Sequence, residues 1–61
     1  MRNKQFYIDM IEQLMTLKNM GYSKQFIENE LKECENMNLK KVYRKYQVIS
    51  KQFKKVYPEY A

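Results

Sequence analysis

The most regular pattern in the chain is an apolar repeat at Leu39, Val42, Tyr46, Ile49, Phe53 and Val56, spaced 3, 4, 3, 4 and 3 residues apart. This spacing keeps all six side chains on one helical face and predicts a helix over about residues 38–57. The preceding segment, Cys34-Glu35-Asn36-Met37-Asn38, reads as a turn in which Asn38 or Asn36 can cap this helix. Pro58 disfavours helical geometry at Tyr57 and closes the segment, leaving Tyr60 in a loose tail. Tyr7, Met10, Leu14 and Leu17 recur at 3-4-3 spacing and predict a first helix over about residues 3–20, with Gly21 just past its end. Ile27, Leu31 and Cys34, widened by Phe26, predict a second helix over about residues 24–35. Ser23 is suited to cap this second helix, and Tyr22 to staple onto Ile27.

There is one glycine and one proline, so little interrupts these segments, and the chain reads as all-α. The expected architecture is a small three-helix bundle, orthogonal or up-down, forming one domain over residues 1–61 with a long, heptad-patterned third helix. In helix 1, Phe6, Ile8, Ile11 and Met15 widen the apolar stripe beyond that of an ordinary surface helix. Such a helix needs two neighbours, either helices 2 and 3 or a second subunit, so a homodimer is one expectation. The helix 3 repeat suits an intramolecular core stripe better than a coiled-coil seam, because Tyr46 and Phe53 stand at alternate seam positions. On helix 2, Glu30 falls between Phe26 and Cys34 and is awkward if that face is buried.

Charge gives the third helix a second role. The net charge of +5 is unevenly distributed. Residues 1–35 carry five cations against six acids, whereas residues 36–61 carry seven cations against Glu59 alone. Those seven are Lys40, Lys41, Arg44, Lys45, Lys51, Lys54 and Lys55, with no acid among them. Lys and Arg neutralise phosphates, and a helix fits the major groove of DNA. In this reading Arg44 and Gln47 face base edges, while Lys40, Lys41, Lys45, Lys51, Lys54 and Lys55 contact phosphate. Tyr43 and Tyr57 flank the seam near these cations and are candidate interface aromatics. The same face also suits an acidic protein, or merely solvation.

Other chemistry is sparse. There is no histidine, and the lone Cys34 has no second cysteine to bridge and no histidine base. Glu28, Glu30 and Glu33 do not converge on one helix face, so neither acid–base catalysis nor a metal site is expected. A single glycine cannot build a phosphate-cradling loop. No cofactor or small-molecule substrate is therefore expected, and the chain does not read as an enzyme. Five methionines read as core at helical spacing. No apolar run exceeds Phe6-Tyr7-Ile8, far short of a spanning segment of about 20 residues, and the expected location is cytoplasmic.

Two windows resemble known families. Met20-Gly21-Tyr22-Ser23, with Leu31 and Val42 downstream, is similar to ubiquitin-associated domains. That resemblance implies a protein-binding patch at Met20, Gly21 and Tyr22 with the end of helix 3. It departs at Glu30 and Lys41, where those domains keep small alanines, and in the longer, more basic third helix. Gly21-Tyr22-Ser23, Ile27, Leu31 and Val42-Tyr43-Arg44 resemble a helix-turn-helix, which implies DNA recognition by helix 3. Here the gap from Leu31 to Val42 is about one turn longer than in that family, and the turn glycine is missing. The chain is assigned to neither family. The leading expectation is a small DNA-binding, transcription-regulating protein of bacterial or phage type that contacts its target through helix 3. The alternative is an inhibitor or adaptor that binds an acidic partner protein through the same cationic face.

Overall fold

The computed structural model describes residues 2–17 and 20–60, apart from the Tyr60 side chain. It is an all-α three-helix bundle: α1 (Lys4–Met15), α2 (Lys24–Glu35) and α3 (Leu39–Val56), followed by a short 3-10 turn, Pro58–Tyr60. All three helices begin in the same way. The side-chain oxygens of Asn3, Ser23 and Asn38 accept from the backbone N–H of Phe6, Phe26 and Lys41, at 2.9, 3.1 and 2.9 Å. Each cap satisfies a donor that the first helical turn leaves without an intrahelical acceptor.

Helix 2 keeps its expected bounds, and helix 3 differs by a residue at each end. Helix 1 is shorter than expected. It stops at Met15, where Thr16 caps it, its backbone N–H donating to the Glu12 carbonyl and its hydroxyl to the Gln13 carbonyl. A threonine that satisfies itself in this way competes with helix propagation. The expected continuation over Lys18 and Asn19 lies outside the described residues. Gly21 is therefore not the residue just past helix 1. It bends the linker at a φ of 77°, and Met20 precedes it with an N–H donated to the Leu17 carbonyl. Tyr22 packs against the core that holds Ile27 and also stacks on Phe26, with ring centroids 5.2 Å apart. The segment expected as a loose tail forms a short 3-10 turn directly after α3.

The core contains Tyr7, Ile8, Ile11 and Met15 of α1, Ile27 and Cys34 of α2, and Val42 and Ile49 of α3. Ile11, Cys34 and Val42 are fully buried. Cross-helix pairings fix the chain direction. Tyr7 meets Tyr43 and Tyr46, while Leu14 and Leu17 line a groove with Phe53 and Tyr57, so α1 and α3 run in the same sense. Tyr22 bonds Gln52 and Glu30 pairs with Lys45, so α2 runs the opposite way. The bundle is up-down-up. The α1 helix packs against both α3 and α2, which accounts for its wide apolar stripe without a second subunit. The helix 3 repeat is a core stripe from Leu39 to Ile49; beyond it Phe53 lines the groove with Leu14, Leu17 and Tyr57, and Val56 is exposed.

Candidate nucleic-acid interface

With Val42 and Ile49 turned into the core, the opposite side of α3 must face solvent. Lys40, Lys41, Arg44, Gln47, Lys51, Lys54 and Lys55 are all exposed there. Lys40, Arg44, Lys51 and Lys55 succeed one another at spacings of four, seven and four residues, and so form one row along the helix. At 1.5 Å per residue this row is about 22 Å long. Asn38, Lys40, Lys41 and Arg44 line a shallow depression of about 170 Å³ at its start. Tyr46, Gln47, Ser50, Lys51 and Lys54 line another of about 270 Å³ farther along.

Lys45, expected on this face, is directed elsewhere. Its Nζ lies 2.9 Å from Glu30 Oε1, and both side chains are only about a fifth exposed. The pair resolves the awkward position of Glu30: the carboxylate faces the α2–α3 seam and meets a cation there. A charge held in a partly desolvated pair is poorly placed to neutralise a phosphate. Tyr43 and Tyr57 are also engaged within the fold. Tyr43 is half-buried with its ring 4.9 Å from Tyr7, edge on, and Tyr57 lies 4.9 Å from Phe53.

Three features were missed in reading the pattern, and only one of them left a signal in it. Lys4 reaches across the bundle, its Nζ donating to the Glu35 and Met37 carbonyls at 2.8 and 3.1 Å. It thus caps the C-terminal end of α2 with a positive charge, which the helix dipole favours. Val48 is 54% exposed and stands on the cationic side. The repeat at 39, 42, 46, 49, 53 and 56 skips position 48, and this was the one available signal. Phe26 is 44% exposed beside Tyr22, whose hydroxyl donates to Gln52 Oε1 at 3.1 Å.

Cys34 is fully buried, and that burial pushes its thiol above the ordinary value, outweighing the downward pull of Lys45. The protonated thiol behaves as a small core side chain. Among the described residues no three His, Cys, Asp or Glu side chains gather into a metal-holding group, and no helix is long and apolar enough to cross a membrane. No protein-family profile matches the chain, and no curated protein or solved structure matches it.

Proposed function

We propose that the protein binds DNA through the outward face of α3 and acts as a small regulator of transcription. One observation carries this reading: six exposed cations share the solvent side of an 18-residue helix that has no acid anywhere along it. A solvated face normally mixes both signs of charge, whereas a one-sided cationic row attracts a polyanion. Glu30 is directed to Lys45, away from the row, and among the described residues none of the six exposed cations is in an ion pair.

Fluorescence anisotropy of a labelled mixed-sequence duplex, with salt varied from about 50 to about 200 mM, tests the reading. Five or six neutralised phosphates give a log–log slope of roughly −4.5 to −5.5. Lys40→Ala or Lys51→Ala should each reduce the slope by about 0.9, while Lys45→Met should leave it unchanged. Absence of binding at low salt with micromolar protein would sink the proposal.

The protein-partner reading has one observation of its own. The stacked Tyr22–Phe26 pair is partly exposed and is tied to α3 through Gln52. Aromatic side chains in that setting serve as interface anchors. Binding to an acidic protein that is lost in Phe26→Ala, with no DNA binding in wild type, would favour that alternative.

A further inference from the structure

We infer that α3 reads B-form duplex DNA from the major groove, with Arg44, Gln47 and Val48 as the base-contacting residues and the lysines at its two ends on phosphate. This rests on the proposed DNA-binding function and specifies its ligand.

The outward face is divided. Lys40 and Lys41 occupy its first turn, and Lys54 and Lys55 its last. Between them stand Arg44, Gln47, Val48 and Lys51, at relative positions 0, 3, 4 and 7, which is one continuous patch on a helix. Lysine is a flexible point charge suited to phosphate, whereas arginine and glutamine have planar, two-pronged groups. Those groups match guanine O6/N7 and adenine N6/N7 in the major groove. Purely non-specific phosphate binding would not need the glutamine or the valine.

Val48 makes the assignment more specific. Its neighbours one turn away are Arg44, Lys45, Lys51 and Gln52, all polar. At 54% exposure it is the most open large apolar side chain described, and no core contact accounts for it. The apolar feature that duplex DNA presents in its major groove is the thymine methyl group. A valine between a guanine-reading arginine and a phosphate-seeking lysine is suited to meet it.

Other nucleic acids fit less well. Single strands are held on open aromatic platforms. The α3 rings form no such open platform: Tyr43 and Tyr46 lie against Tyr7, Phe53 lies against Tyr57, and only an edge of Tyr46 reaches the depression beside Gln47 and Lys51. Double-stranded RNA has a major groove too deep and narrow for side chains to read. An acidic protein could pair with the outward lysines, but lysine is depleted at protein interfaces, whereas it is a regular phosphate contact.

The test is selection from a random-sequence duplex pool, then affinity measurements on the enriched and scrambled duplexes. Wild type should enrich a short motif. Gln47→Ala and Val48→Ala should each relax preference at one base position by about tenfold, with the salt slope unchanged. The double variant Lys40→Ala/Lys55→Ala should weaken all sequences alike and lower the slope. Circular dichroism confirms that each variant, substituted only at exposed positions, keeps its helices. Binding without any enriched sequence would overturn the inference while leaving the DNA-binding function standing. Equal competition by single-stranded DNA or by duplex RNA would do the same. Failure to bind any nucleic acid, with or without binding to an acidic protein, would overturn both.

Discussion

Cys34 shows how one buried residue reports on its surroundings. Its side chain is fully enclosed, with Glu30 and Glu33 disfavouring the thiolate and Lys45 and Lys4 favouring it, and burial dominates. The folded thiol therefore titrates above its ordinary value of 9.0, near which the unfolded chain titrates. Below that value both states hold the proton and the thiol has no effect on the pH dependence of stability. Above it the unfolded state loses protons first, so stability falls as pH rises. Urea unfolding at a series of pH values from about 8 to about 10 should show this decline, and Cys34→Ala should flatten part of it. The alanine variant should start about 1 kcal/mol lower because it leaves a small cavity. An identical slope in both proteins would show that the thiol is not the titrating group. The Glu30–Lys45 pair beside it was not legible from sequence. The helical wheel marks Glu30 as misplaced, but its partner lies fifteen residues away on another helix, and only the docking of α2 and α3 on the shared α1 brings them together.

At the scale of elements, the helix starts were readable because they are local. Asn3, Ser23 and Asn38 each act on a donor three residues ahead, and a short oxygen-bearing side chain before an apolar repeat announces this. The end of α1 was not readable. Leu17 continues the 3-4-3 pattern, yet it is 39% exposed and outside the helix. The Thr16 hydroxyl that turns back on Gln13 leaves no punctuation of the kind that Gly and Pro provide. The same holds for Lys4, whose cap on α2 depends on the two helices lying in opposite senses. Gly21 gives a prediction for the linker. No atom beyond its chain neighbours lies within 4 Å of where its Cβ would be, so space is not the constraint. The φ of 77° is, and it costs an ordinary L-residue about 1–2 kcal/mol. Gly21→Ala should therefore lower the urea midpoint at constant m-value, and Gly21→Asn should lower it less, because asparagine tolerates the left-handed region. If the two variants fall equally, backbone conformation is not the cause.

At the scale of the whole molecule, a small core holds a helix that its own charges oppose. Eight side chains among the described residues are buried, and stability in a domain of this size amounts to a few kcal/mol, about 3–5. Along α3, Lys40 and Arg44, Lys41 and Lys45, and Lys51 and Lys55 are like-charged pairs four residues apart. Each such pair costs about 0.2–0.5 kcal/mol, and among the described residues only Lys45 of these is held in an ion pair. The members of a pair are about 6 Å apart along the axis, well inside the screening length of about 10 Å at 0.1 M salt, and repulsion is strongest when salt is low. Sodium chloride should therefore raise the thermal midpoint of the free protein, by about 4–8 °C if screening recovers about 1 kcal/mol. Duplex DNA supplies the same neutralisation with phosphates, so it should raise the midpoint at low salt by mass action. Added salt then weakens the complex while stabilising the free protein, and the two melting curves should converge. A free-protein midpoint that is flat or falls with sodium chloride would remove repulsion along α3 as a cost of folding. A duplex that fails to raise the midpoint at low salt would count against phosphate as what lies opposite that helix.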